Sequence, residues 1–96
     1  MMKVMTGVVL EEVSLTIDEL AWACACERRW VVEHVESGAL TSVSISSGER
    51  VFASAELARA RRLLALEREF DADPELAALT VDLIEEVGRL RRRLRD

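Results

Sequence analysis

The chain has no tyrosine, one proline, one histidine and two cysteines in 96 residues, with two tryptophans and two phenylalanines as its only aromatics. One histidine and no glycine-rich phosphate loop leave little from which to assemble acid–base or nucleotide chemistry. The paired carboxylates fall on segments that pattern as amphipathic helices rather than cleft walls. A non-enzyme without cofactor is therefore expected. Cys24 and Cys26 stand two apart in "ACAC". That is too close to staple a fold, and a reducing compartment keeps both as thiols. No stretch is long and apolar enough to span a bilayer, and "MMKVMTGVVLEEVS" carries no signal-like core or cleavage site, so a cytoplasmic protein is expected. Cations are also in deficit. Thirteen Lys and Arg face eighteen Asp and Glu, for a net charge of −5. A duplex binder normally needs a basic footprint, so the balance opposes DNA as the main ligand.

What is present is globular. Half the residues are hydrophobic and 32% are charged, which suits one small folded domain. A domain this short gains stability from further burial in a dimer. "TGVVLEEVS" (residues 6–14) is rich in β-branched residues and reads as a short strand. Thr16 and Glu19 have the spacing of a capping box. Ile17, Leu20, Ala21 and Cys24 follow on one helical face. A second helix is expected from about Glu27 to Ser37, with Val31 and Val35 inward, Val32 widening that face, Gly38 past its end and Leu40 as an apolar plug. "TSVSISSGERVFA" alternates around Val43 and Ile45, turns at Ser47-Gly48 and returns through Val51 and Phe52, a hairpin or wing. Ser54 is placed to cap a third helix with Leu57, Ala60, Leu63, Leu64 and Leu66 on its apolar side. Asp73 and Pro74 open the last helix.

That last helix is apolar over a wide face in its first half: Leu76, Ala77, Leu79, Val81, Leu83 and Ile84. A wide face is expected to pack on the body of the domain. The second half narrows to Val87, Leu90 and Leu94, spaced three and four apart like a coiled-coil seam. With Leu83, these residues are the expected dimerisation contacts of a homodimer. Arg91, Arg92, Arg93 and Arg95 complement the negative end of the helix dipole. Residues 1–53 carry four cations against eight anions, and residues 54–96 nine against ten. The first portion, which would touch DNA in a helix-turn-helix protein, is thus the more acidic one.

The order strand, helix, turn, helix, wing, long helix, C-terminal helix resembles the winged-helix MerR-like proteins. "LTIDELAWACACERRWVVEHVESGAL" looks like their opening pattern, in which a "TI-x-ELA" helix leads to a recognition helix ending in "GLL". The resemblance implies a mainly α fold: a MerR-like winged helix-turn-helix with a small β-hairpin wing and a long C-terminal dimerisation helix. Residues 1–53 form the winged helix-turn-helix portion and residues 54–96 the helical portion of one compact domain. DNA-binding members carry an "RYYE"-like run at the positions of Val32, Glu33, His34 and Val35. Here the Arg is replaced by Val32, and Glu33 would face phosphate. Arg28, Arg29 and the wing Arg50 are the residues left for a DNA-binding regulator, the alternative reading.

Over nearly its whole length the chain resembles chaperone modulators of the CbpM type. The carrying stretches are "WVVEHVESGAL", "RVFASAELARARRLLALEREF" and "ALTVDLIEEVGRLRRRL", of which the last is the most specific. Known members bind the J-domain of a DnaJ-like co-chaperone, CbpA, and inhibit it. The resemblance implies that activity, with loss of the co-chaperone's stimulation of Hsp70. A J-domain presents a strongly basic helix, and an acidic partner suits it.

The partner-binding residues expected on that reading are Trp30, Glu33 and Glu36 on the second helix and Asp82, Glu85 and Glu86 on the last. Trp30 and Trp22 suit binding hot spots if exposed, or the helix–helix junction if partly buried. The glutamates are otherwise solvated surface, and Glu85 is otherwise an i,i+4 partner of Arg89. Cys24, Cys26 and His34 invite a metal reading. Yet Cys24 belongs to an apolar face, and free cysteine packs as a small hydrophobe. No metal is expected, and His34 is expected at the surface or its edge.

Overall fold

The computed structural model describes residues 14–95. The elements run β1 (Ser14–Thr16), α1 (Ile17–Cys24), α2 (Arg28–Glu36), β2 (Ser44–Ser46), β3 (Glu49–Ala53), α3 (Ser54–Glu69) and α4 (Pro74–Arg95). The expected strand over residues 6–14 lies outside the described residues apart from Ser14. The chain divides into two compact units, Met1–Ala58 and Arg59–Asp96, with the boundary inside α3.

In the first unit, local chemistry sets the element ends. The Thr16 hydroxyl accepts from the Glu19 N–H at 3.1 Å, and the Glu19 carboxylate accepts from the Thr16 N–H at 2.9 Å. That closes the capping box. α1 stops at Ala25, which is left-handed at φ 55°. Its own N–H reaches back to Ala21 and Trp22, and the Cys26 N–H donates to the Ala21 carbonyl at 3.0 Å. This is the usual helix-ending geometry with alanine where glycine is favoured. α2 ends through Gly38 at φ 89°, and the Leu40 N–H then donates to the His34 carbonyl at 2.9 Å. Ser47 and Gly48 both have positive φ, the type I′ geometry that matches the twist of a two-residue hairpin. The antiparallel sheet has the order β1-β3-β2, with Leu15 opposite Phe52 and Ile45 opposite Arg50.

The core of this unit comes from α1, α2, the turn after α2 and β3, while β1 and β2 supply no buried residue. Leu20, Ala21 and Cys24 come from α1, Val31 from α2, Ala39 and Leu40 from the following turn, and Val51 and Phe52 from β3. Val32 and Val35 are half-buried rather than core. His34 corrects the surface assignment, since it is only 4% exposed. Its ring stacks on Trp30 at a centroid distance of 3.7 Å, and Nδ1 lies 2.7 Å from the Trp30 carbonyl oxygen. Burial is tolerable because that polar atom has a partner.

The second unit is a helical hairpin. α3 begins at Ser54 itself. Within the unit it continues from Arg59, and four residues link it to α4. The Leu76 N–H donates to Asp73 Oδ1 at 2.9 Å, so Asp73 caps α4 and Pro74 takes its first helical position. Ala60, Leu63 and Leu64 of α3 and Ala77 and Val81 of α4 are buried. Here the wide-face expectation needs correction. Leu76, Leu79, Leu83 and Ile84 remain exposed, and only Ala77 and Val81 of the six go in. At about 100° per residue, the exposed leucines centre roughly 140° around the helix from the Ala77/Val81 face. α4 therefore has two apolar faces, one covered and one not. No helix among the described residues is long and apolar enough to cross a membrane.

Candidate functional site

Three features of the first unit bear on binding. On α2, Glu33 and Glu36 are exposed, three residues apart, while Trp30 is half-buried against His34. The stack fixes the indole and thereby the edge it shows beside Glu33. Arg28 at the start of α2 donates from Nε to Asp18 Oδ1 of α1 at 3.0 Å, with both side chains well exposed. Arg29 is exposed. On the wing, Arg50 donates to the Ser42 hydroxyl at 3.3 Å. The cations that would meet a phosphate backbone are thus three: Arg28 already engaged by an acid, Arg50 in contact with a hydroxyl, and Arg29. Between residues 14 and 58, seven anions stand against these three cations.

The third feature is Trp22, on α1. It is 86% exposed, the opposite of core burial. With Ser14, Leu15, Asp18, Glu19 and Ala23 it lines an open hollow of about 430 Å³. The position of Trp22 off the Leu20/Ala21/Cys24 face was legible in the sequence. The hollow was not, because it needs β1 beside α1.

In the second unit, the acidic stripe of α4 is organised by a residue that sequence reasoning missed. Arg59 Nη1 lies 2.9 Å from Asp82 Oδ1 and 3.0 Å from Glu85 Oε1, and its side chain is only 13% exposed. Burial alone pulls the Arg59 guanidinium pKa down. The hydrogen bonds and charges of Asp82 and Glu85 outweigh it and leave the pKa above its ordinary value. The Glu85–Arg89 pair, the alternative to a partner contact, does not form. Glu85 turns to α3, and Arg89 pairs instead with Glu86, three residues before it. A partly buried guanidinium offering several donors is the better partner for Glu85 than a solvated one a turn away. Asp82, Glu85 and Glu86 therefore each have a cation in place within the chain.

Beyond Glu85, α4 runs on through Arg95, roughly 15 Å further at 1.5 Å per residue. Leu83, Val87, Leu90 and Leu94 are 59%, 46%, 43% and 87% exposed. With Leu76 and Leu79 they form one continuous stripe that nothing in the described chain covers. Cys24 is buried and Cys26 half-buried, both as thiols. No group of three or more His, Cys, Asp or Glu able to hold a metal ion occurs among the described residues.

Two helices joined by a tight turn, a two-stranded wing returning beside β1, and a long C-terminal helix define a winged helix-turn-helix protein. Within that class, residues 15–96 match the model of the MerR HTH family regulatory proteins. The chain belongs to that family. No curated protein matches it.

Proposed function

We propose that this MerR-family chain is a protein-binding modulator of a DnaJ-like co-chaperone. It binds the J-domain, covers the surface that engages Hsp70, and so lowers stimulation of the Hsp70 ATPase. It acts in the cytoplasm by occlusion, without catalysis or cofactor. The observation that carries this reading is the exposed pair Glu33 and Glu36 on the second helix of the helix-turn-helix. A duplex repels carboxylates there, and a basic helix attracts them. The resemblance of "WVVEHVESGAL" and "ALTVDLIEEVGRLRRRL" to the CbpM type supplies the identity of the partner.

The working unit on this reading is a homodimer paired through Leu83, Val87, Leu90 and Leu94. Charge favours an antiparallel arrangement. Glu75, Asp82, Glu85 and Glu86 occupy the first part of α4, and Arg89, Arg91, Arg92, Arg93 and Arg95 the last. Running the helices in opposite directions sets acids against cations, whereas parallel pairing stacks five cations on five.

Calorimetric titration with the J-domains of the organism's own DnaJ-like proteins tests the reading. Saturable binding near one J-domain per protomer is expected, weakened about tenfold or more in Glu33→Lys/Glu36→Lys. Absence of heat with every J-domain, for a protein that is folded and dimeric, overturns it. A second reading, a DNA-binding regulator, draws on exposed Arg29 and the wing Arg50. It requires duplex binding with a steep salt dependence that is lost in Arg29→Ala.

A further inference from the structure

The hollow beside Trp22 belongs neither to the α2 face nor to the dimerisation stripe. Its lining combines apolar groups, from Leu15, Ala23 and the indole, with the carboxylates of Asp18 and Glu19. Both carboxylates are held in place by one oxygen each. Glu19 Oε1 accepts from the Thr16 N–H in the capping box, and Asp18 Oδ1 accepts from Arg28. The other oxygen of each is left for a further donor. A tryptophan 86% exposed on a rigid, capped helix is the kind of side chain that dominates binding energy. The local chemistry selects among occupants. An indole face with carboxylates one turn away receives a long cationic side chain, whose methylene stem lies on the ring and whose charge reaches the acids. Asp18 already accepts from the Arg28 guanidinium outside the hollow, so Glu19 carries the larger share of the charge offered to an occupant. An anionic or nucleic-acid occupant meets two carboxylates there and is disfavoured.

We propose that this hollow seats a lysine- or arginine-bearing segment of the protein partner, with Trp22 as the anchor and Asp18 and Glu19 as the charge contacts. The partner's identity as a J-domain rests on the modulator reading above; the chemistry of the seat does not. The chain then grips a basic helix at two places in its first unit, the Trp22 hollow on α1 and the Glu33/Glu36 pair on α2.

The emission measurements use the full chain carrying Trp30→Phe, so that Trp22 is the sole indole, and the J-domain affinities are measured by calorimetry on the chain with Trp30 intact. Two probes are titrated: the organism's J-domains, and a synthetic amphipathic helical peptide of lysine and leucine with its glutamine-for-lysine counterpart. A saturable blue shift of Trp22 emission with the lysine peptide is expected, with the glutamine peptide about tenfold weaker. Trp22→Ala should weaken J-domain binding about tenfold or more. Glu19→Gln, which keeps the capping hydrogen bond, should weaken it several-fold without lowering the melting temperature. Equal J-domain affinity for the parent and Trp22→Ala overturns the proposal while leaving the modulator reading intact. So do equal affinities for the two peptides. Trp22 emission that is blue in the free chain and reddens only on deletion of residues 1–13 also overturns it, because the chain's own N-terminal segment then fills the hollow. Trp22-dependent binding of the lysine peptide with no J-domain bound sinks the modulator reading and keeps the seat.

Discussion

Replacing Arg59 by methionine keeps most of the buried stem and removes the guanidinium that holds Asp82 and Glu85. The cost follows from how unevenly the three groups are buried. The Arg59 side chain is 13% exposed, while Asp82 and Glu85 are 59% and 42% exposed. Solvated ion pairs contribute at most about 1 kcal/mol. Breaking a fully buried pair costs about 3–5 kcal/mol, because an uncompensated charge is left behind. Here the groups left behind are carboxylates that already reach water and can rehydrate, so a loss of about 2 kcal/mol is expected, nearer the lower bound. For a chain of this size that lowers the melting temperature by about 10 °C. The assay is helical circular dichroism on heating, at one fixed protein concentration, in low salt and in 1 M NaCl. The deficit should shrink only partly at high salt, because the cation is shielded from the solvent ions that screen exposed pairs. Asp82→Asn or Glu85→Gln alone should cost less than half as much, since the other carboxylate stays on Arg59. The double variant should cost at least as much as Arg59→Met, because it strands the buried cation. A melting temperature for Arg59→Met within about 2 °C of the parent, or a double variant more stable than the parent, refutes the reasoning.

Other outcomes follow from the same geometry. Leu90→Asp places a charge in the exposed stripe of α4; on the dimer proposed above, sedimentation should find the parent paired and the variant monomeric at the same concentration, and a variant dimer of unchanged affinity rules out this seam. Ala25→Gly relieves the left-handed alanine that ends α1 and should stabilise the chain by roughly 0.5–1 kcal/mol, read as a higher denaturation midpoint; a lower midpoint refutes the capping argument. His34→Ala removes a buried ring stacked on Trp30 and should cost about 2 kcal/mol. With Trp22→Phe in the background, the remaining indole emission should shift to the red, and no shift places Trp30 elsewhere.

The features legible in the sequence are those whose causes lie within four residues. Thr16 with Glu19, Asp73 with Pro74, Ser47 with Gly48 and Gly38 after α2 each fix an element end by local hydrogen bonding or by the backbone angles they allow. The family-level fold follows from the order of those elements. Arg59 was hidden because its partners lie 23 and 26 residues away, and its neighbours Arg61 and Arg62 carry the same charge. The signal for it existed only jointly, as a cation on α3 and acids on α4 in an antiparallel hairpin. His34 was misplaced because residue type outweighed position: it stands three residues after Val31, on the inward face of α2, but histidine is less often buried than the valines beside it. The two faces of α4 were merged for a simpler reason. Ala77 and Val81 are small, and beside the four larger aliphatic residues Leu76, Leu79, Leu83 and Ile84 they read as the edge of one broad face rather than as a separate contact.

The uncovered stripe of α4 has a consequence for how much of this protein a cell can hold. An unpaired copy displays six aliphatic side chains along one helix, a continuous apolar strip of the kind that marks an interaction surface or an association liability. Such a surface draws holdases and proteases, and pairing withdraws it from them. Because pairing is second order in concentration, copies made at low level spend longer exposed than copies made at high level. If the stripe is the dimer seam, turnover falls as synthesis rises, and the accumulated amount responds to expression more steeply than in proportion.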